Sequence, residues 1–93
     1  MSPLISQISK ALNVPPAVLV RNGLLSYVER EIRMTQEDIA DFREKYHVTS
    51  RQSLLKKIKS KTIPSHPAWE DTIAWENLEE HLQTLEKTLK KLD

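Results

Sequence analysis

The sequence predicts an all-α protein, arranged as an extended helical hairpin of two long, heptad-patterned helices together with two short helices. No stretch alternates apolar and polar residues over five or more positions, as a half-buried strand does. The chain has a single glycine, so glycine-bearing turns of the kind that join strands are scarce. Apolar residues instead recur at spacings of three and four, which is the rhythm of a helix lying along another helix in a coiled coil.

Length and composition indicate one small domain. A chain of 93 residues with 39% hydrophobic content buries only a thin core. It has no cysteine, so we expect neither a disulfide framework nor a thiolate metal site. No apolar run approaches the ~20 residues of a membrane span, and the first residues lack the pattern of a signal peptide. We therefore expect a cytoplasmic protein with no membrane contact.

Prolines set the first two helices. A short helix follows Ser2-Pro3 and ends before Pro15-Pro16, because a residue that precedes proline is disfavoured in the α region. Its apolar face consists of Leu4, Ile5, Ile8, Ala11 and Leu12. The second helix begins at Pro16 and runs to about residue 46. Its stripe consists of Val18, Leu25, Val28, Ile32, Thr35, Ile39, Phe42 and Tyr46. Residues 35–38 also fit a capping box that begins a new helix, but the unbroken rhythm favours one long helix.

Two further helices complete the domain. Thr49 or Ser50 caps a short third helix, and Ser65 or His66 caps a long fourth helix that has Pro67 in its first turn. The fourth helix runs to about residue 91. Its stripe consists of Trp75, Leu78, Leu82, Leu85, Leu89 and Leu92. The single domain, 1–93, thus divides into 1–48 with the first two helices, 49–61 with the basic third helix, and 65–93 with the C-terminal helix.

Both long helices have a second apolar face. At about 100° per residue, Trp69 and Ile73 lie about 40° apart, whereas Trp75 lies about 120° from Trp69, with the leucine stripe. The second helix has a similar additional face, formed by Val20, Gly23, Leu24 and Tyr27. A glycine inside a helix costs about 1 kcal/mol relative to alanine, so Gly23 indicates either a close helix crossing or a bend without function. One small chain has little material to cover these faces, so we expect a contact with another protein chain.

Opposite charges occupy neighbouring blocks in a chain whose net charge is +1. Residues 49–61 carry +5 with no acid, and residues 62–86 carry −6 with no lysine or arginine. Such blocks are commonly solvated helix faces, or pair across a hairpin, and the alternative is a charged partner for one of them. The possible nucleic-acid contacts are Arg51, Lys56, Lys57, Lys59 and Lys61. Residues 5–27 also fit a helix–turn–helix, but 17–20 are apolar where base-reading side chains are expected, so DNA reading is not favoured.

No constellation of residues supports catalysis. The histidines His47, His66 and His81 are scattered, without the i, i+4 pairing of a helical metal site. The adjacent acids at 70–71 and at 79–80 point apart on a helix and have no partner base. We therefore expect no enzyme, no cofactor and no metal site.

Three stretches resemble a group of small helical prokaryotic proteins that are taken to be antitoxins of type II toxin–antitoxin pairs. They are NVPPAVLVRNGLLSYVEREI at 13–32, KYHVTS at 45–50 and IPSHPAWEDTIAWENLEEHL at 63–82. In the group the third stretch has the form HPAWED followed by I-x-WE-x-L, which residues 66–78 match. Two features depart from the group: His47 stands where a glycine is expected, and the N-terminus lacks the DNA-binding modules of better-known antitoxins. The resemblance implies a protein that binds a toxin tightly and blocks its active site or its activation.

The residues themselves favour the same role, because a helix with a leucine stripe, an additional apolar face and an acidic block suits a partner's groove. The expected partner-binding residues are Trp69, Ile73, Trp75, Leu78, Leu82, Leu85, Leu89, Glu70 and Asp71. Among them we expect Trp75 in the protein's own seam and Trp69 in the wider contact. The second-helix face at residues 20–27 is expected to serve self-association.

The expected partner is therefore a toxin encoded by a neighbouring gene, held in a homo- or hetero-oligomer. Two alternatives remain open. One is a self-assembling structural or adaptor module, and the other is a nucleic-acid-binding transcriptional regulator that uses residues 49–61.

Overall fold

The computed structural model describes residues 2–92, and within that range it confirms the all-α prediction. Four helices follow in order: α1 (Pro3–Leu12), α2 (Pro16–Tyr46), α3 (Arg51–Lys59) and α4 (Ser65–Leu92). The described part of the chain contains no strand. The molecule measures 61 × 20 × 18 Å. It is therefore about two helices wide, and no second layer of helices covers the two long helices along their length.

Helices α2 and α4 form an antiparallel hairpin, and their contact is the most extensive in the fold. At one end, Arg21 Nη2 near the start of α2 donates to the backbone oxygen of Leu92 at 2.9 Å. At the other end, Lys45 Nζ near the end of α2 donates to Asp71 Oδ2 near the start of α4 at 2.7 Å. Helix α3 packs against α4 close to this second end, and α1 packs against α2.

The core lies where α2, α3 and α4 meet. Trp75 is its largest member, only 1% exposed, and its ring stacks on Phe42 with centroids 5.9 Å apart and planes 14° apart. The other buried hydrophobic residues of this cluster are Ile39, Val48, Leu54 and Ala68. An indole surrounded in this way removes much apolar surface from water, and such aromatic residues dominate the energetics of small cores.

Heptad packing continues from this core along the hairpin. Val28, Thr35 and Ile39 of α2 and Leu85 of α4 are buried, which confirms the predicted stripes over most of their length. Thr35 does not begin a new helix: its hydroxyl donates to the backbone oxygen of Glu31 at 2.8 Å, so α2 is continuous as predicted. Val18, placed in the stripe by its spacing, is exposed, because the seam with α4 does not extend that far.

Helix α1 differs from its prediction. Its apolar residues Leu4, Ile8 and Leu12 are exposed, and only Ile5 is half-buried. The buried residue of α1 is Ser9, whose hydroxyl hydrogen-bonds the backbone oxygen of Val14 just beyond the helix. Most of the predicted apolar face of this helix therefore points outward, although α1 does contact α2.

The helix ends follow their predicted signals. Ser50 caps α3, its hydroxyl accepting from the backbone N–H of Ser53 at 3.2 Å. His66 has an extended backbone (φ −110°, ψ 129°) and a cis bond to Pro67, so regular helical geometry in α4 begins at Pro67. His47 ends α2 in the left-handed conformation, with φ 53° and ψ 46°. This conformation explains why a glycine suits that position, since a side chain crowds the following carbonyl there.

We predict that His47→Gly raises the free energy of unfolding by about 1 kcal/mol, because glycine adopts the left-handed conformation without the steric cost of a Cβ. Thermal and urea unfolding followed by circular dichroism would measure the change. The matched control is His81→Gly, the same substitution at an exposed position within α4, where glycine is expected to cost about 1 kcal/mol. Equal destabilisation at both positions would contradict the interpretation of the α2 end.

Candidate partner-binding surface

The outer face of α4 carries an exposed apolar pair, Trp69 and Ile73. Trp69 is 52% exposed and Ile73 is 47% exposed, although both belong to a helix whose next turn carries the buried Trp75. The six-residue separation of the two tryptophans explains the difference, because it rotates the side chains about 120° apart around the helix. Once Trp75 is buried in the core, Trp69 has to lie on the side of α4 that faces away from it.

Acidic residues surround this pair. Glu70, Glu76 and Glu80 are all exposed and lie on the outer side of α4 with Trp69. His66 Nδ1 lies 3.1 Å from Glu70 Oε1, one helical turn away. A backbone hydrogen bond and the contact with His66 lower the pKa of Glu70. The surface therefore combines an aromatic centre with a negatively charged rim.

Asp71, which the sequence also placed among the partner-binding residues, joins the ends of the two long helices within the chain. It accepts hydrogen bonds from Lys45 Nζ and from the hydroxyl of Tyr46. Burial works to raise the pKa of Asp71, but the hydrogen bonds from Lys45 and Tyr46 outweigh it, and the pKa lies below its usual value. The hydrogen bond to Asp71 raises the pKa of Lys45. Burial, followed by the bond to Asp71, raises the pKa of Tyr46.

The remaining residues predicted to bind a partner lie in the hairpin seam. Trp75 and Leu85 are buried, and the other three leucines of this set are half-buried: Leu78, Leu82 and Leu89. They face α2 within the same chain, so the folded hairpin leaves Trp75 and Leu85 covered and only parts of Leu78, Leu82 and Leu89 accessible. On the folded molecule the exposed part of the predicted set is Trp69, Ile73 and Glu70.

Two basic side chains of the segment 49–61 already bond to other groups of the same chain. Arg51 Nε lies 3.3 Å from Glu79 Oε1, and its Nη1 lies 4.0 Å from Glu76 Oε2. Lys57 Nζ donates to the backbone oxygen of Tyr46 at 2.9 Å. Lys56, Lys59 and Lys61 are exposed. The predicted pairing of opposite charge blocks thus exists in part, and it brings α3 against α4.

A second exposed surface lies at the other end of the hairpin. The four residues predicted for self-association are all exposed: Val20, Gly23, Leu24 and Tyr27. Beside them runs an open groove of about 620 Å³ whose apolar lining is Ile5, Ala17, Val20, Leu24 and Leu92. Sequence reasoning found the face on α2 but not this groove, because the groove forms only where the end of α4 returns to α1 and the start of α2.

A second recess, separate from the groove, was not predicted. It is an apolar notch of about 490 Å³ between α2 and α4, where Phe42, Ala74 and Leu78 form the floor and Asp38 and Asp41 form one edge. The two aspartates precede the seam residues Ile39 and Phe42 by one position, which places them beside the seam. This one-position spacing from the seam residues is the feature of the sequence that could have indicated the notch.

Residues 2–92 contain no group of three or more histidine, cysteine, aspartate or glutamate side chains placed to hold a metal ion. In the same range, no helix combines the length and the apolar character that crossing a membrane requires.

Fold and surfaces together define a small all-α protein built on an antiparallel helical hairpin, with apolar surfaces on its outer faces. The chain belongs to the Uncharacterized protein MJ0235 family, whose family model matches residues 1–93. Comparison with curated proteins and comparison with solved structures gave no match.

We predict that Asp71→Ala lowers the free energy of unfolding at pH 7 by about 1.5 kcal/mol, since hydrogen bonds to a charged group are lost. Because folding lowers the pKa of Asp71, its contribution is fully present above the ordinary value of 3.8 and is lost as the pH falls through the folded value. The raised pKa of Lys45 acts in the opposite direction: its contribution is present below 10.5 and is lost as the pH rises through the folded value.

Urea unfolding of wild type and Asp71→Ala from acid to neutral pH would test this prediction. The difference between them should narrow as the pH falls below 3.8. The control is Glu80→Ala, which removes an exposed carboxylate of the same helix and should change stability by less than about 0.5 kcal/mol. A difference that stayed constant down to acid pH would show that the Asp71 carboxylate is not the source.

Proposed function

We propose that the protein is a non-catalytic interaction protein, an antitoxin that binds its cognate toxin through the outer face of α4. One observation carries the proposal: Trp69 is half exposed on a regular helix, next to Ile73, in a chain that buries its other tryptophan almost completely. The resemblance of residues 66–78 to antitoxin-like proteins gives the partner its class. Pairs of this kind meet in the cytoplasm, where we place the protein.

Apolar burial would supply most of the affinity. Fully burying a large hydrophobic side chain contributes about 1.5–3 kcal/mol, and Trp69 and Ile73 each leave about half of their surface available. Tryptophan is enriched among the few residues that dominate binding energy at protein interfaces. Such a pair therefore suits the centre of the contact between α4 and a partner's groove, with the surrounding residues adding to the buried area.

The acidic residues beside Trp69 and Ile73 determine the charge that a partner's surface needs. Glu70, Glu76 and Glu80 surround the apolar pair, so the complementary surface is basic. Many toxins act on RNA and carry basic clefts, and an acidic helix placed over such a cleft would compete with the RNA. Electrostatic attraction of this type raises the association rate and weakens with salt.

The hairpin also prepares α4 for binding. Packing of Trp75 against Phe42, together with the Lys45–Asp71 ion pair, fixes the start of α4 before any partner arrives. A helix that is already ordered loses less conformational entropy on binding than a disordered segment does. The proposed mode is thus a preformed helix that enters a groove, rather than a tail that folds on the toxin.

We predict that Trp69→Ala weakens binding to the purified protein encoded by the neighbouring gene by about thirtyfold or more, equivalent to about 2 kcal/mol. Isothermal titration calorimetry would measure it, and loss of growth protection on co-expression would support it. Folding should be retained, because an exposed side chain is removed.

Two controls match this variant. Met34→Ala removes another exposed hydrophobic residue from α2, and Lys56→Ala removes an exposed charge of α3. Both should bind as wild type. If Lys56→Ala weakened binding more than Trp69→Ala, the basic segment would be the working surface and the proposal would fail. No binding by the wild-type chain to the neighbour-encoded protein would also overturn it.

A further inference from the structure

We propose that two copies of this chain associate through the exposed face of α2 at residues 20–27 and the groove beside it, related by a two-fold axis that passes near Gly23. The inference does not depend on the partner proposed for Trp69, because it uses a different surface at the opposite end of the hairpin.

The exposed apolar surface is concentrated at this end. Ten large hydrophobic side chains are exposed among the described residues, and seven of them lie between residues 4 and 27. They include Leu24 and Tyr27 on α2 and the outward face of α1. Monomeric proteins rarely leave large contiguous apolar patches in water, so the face that Val20, Leu24 and Tyr27 share is a candidate for contact with another chain.

The distribution of charge indicates that the chain in contact with this face is a second copy of the protein. Residues 2–28 contain only two ionised side chains, Lys10 and Arg21, and Arg21 is bonded to Leu92 within the chain. A two-fold contact sets a patch against itself, so every charge in the patch meets the same charge or its close neighbour. The helix face formed by Val20, Gly23, Leu24 and Tyr27 is uncharged and avoids that repulsion, and the charges beside it are those of Arg21 and Lys91, which complete the lining of the groove. The acidic surface around Trp69 would not avoid it, which assigns the two surfaces to different partners.

Gly23 provides the second argument. No atom outside its own stretch of helix lies within 4 Å of the position where its Cβ would stand, so the fold of one chain gives no steric reason for a glycine. It nevertheless lies inside a continuous helix, where glycine is unfavourable, and in the middle of the exposed face. A second α2 that crosses at Gly23 explains it, since the missing side chain lets two helix backbones approach closely.

The groove makes the surface complementary to itself. Val20 and Leu24 belong both to the helix face and to the groove, whose floor includes Ile5 and Leu92. Tyr27 lies one turn further along the same face and is 62% exposed. When two copies cross at Gly23 in antiparallel directions, residue 27 of each lies opposite residue 19 of the other, next to Val20 of the groove. Each copy then supplies a protruding tyrosine and a groove that receives one.

The contact leaves the other surface free. At 1.5 Å per residue, Gly23 lies about 33 Å along α2 from Lys45, which marks the end of the hairpin near Trp69. A dimer joined at Gly23 therefore presents two Trp69 surfaces at its outer ends.

Light scattering coupled to size-exclusion chromatography of the full chain tests the proposal directly. We expect a mass of about twice 10.8 kDa for wild type. Leu24→Glu should give a monomer with unchanged helical content, because Leu24 is exposed, whereas Ile73→Glu should remain a dimer. Gly23→Leu should weaken the dimer about tenfold or more without unfolding the chain, since the single chain has space for the side chain.

A cross-link locates the axis, and the absence of cysteine from the sequence makes it specific. Gly23→Cys places a single thiol at the crossing, so mild oxidation should convert most of the chain to a disulfide dimer. Ile73→Cys, at the opposite end, is the control and should remain unlinked. A monomeric wild type, or a dimer that Ile73→Glu disrupts and Leu24→Glu does not, would overturn the proposal.

Discussion

The burial of Trp75 between three helices is the contact on which the remaining structure depends. Its indole lies on Phe42 of α2, within a cluster that includes Leu54 of α3 and Ala68 of α4. The contact fixes how α4 is rotated about its own axis as well as where it lies. Rotation decides which side chains are exposed, because a helix turned by about 100° per residue sends Trp69 to the outside whenever Trp75 is inside. The exposed surface of α4 is thus a geometric consequence of its core.

The narrowness of the fold accounts for the other exposed surfaces. A hairpin about two helices wide, with extents of 20 × 18 Å across its axis, covers only one face of each long helix along most of its length. Helix α3 adds cover near one end, where the buried core is concentrated. At the other end α1 contacts α2 but keeps Leu4, Ile8 and Leu12 in solvent. Apolar residues on the uncovered faces are therefore available for association.

Most of the fold was predictable because local signals and long-range packing agree. The spacing of three and four residues predicted the seam of α2 and α4. Prolines marked the starts of α1 and α2, and Ser50 marked the start of α3. The separation of Trp69 from Trp75 followed from helical geometry alone. The orientation of α1 could not be predicted, since periodicity shows that a helix has an apolar face but not which neighbour meets it.

Tertiary contacts decided what the sequence left open at the candidate site. The sequence placed Asp71 among the residues expected to bind a partner, yet its position is determined by Lys45 and Tyr46, which are 26 and 25 residues away. The groove near Leu92 likewise exists only because the end of α4 returns to the start of α2. Periodicity describes the faces of one helix and does not show which face meets another helix. The predicted partner-binding set therefore included leucines of the seam together with residues of the outer face. The three-dimensional arrangement separates them: the seam holds the hairpin together, the apolar face of α2 suits a like surface, and the acidic outer face of α4 suits a basic one.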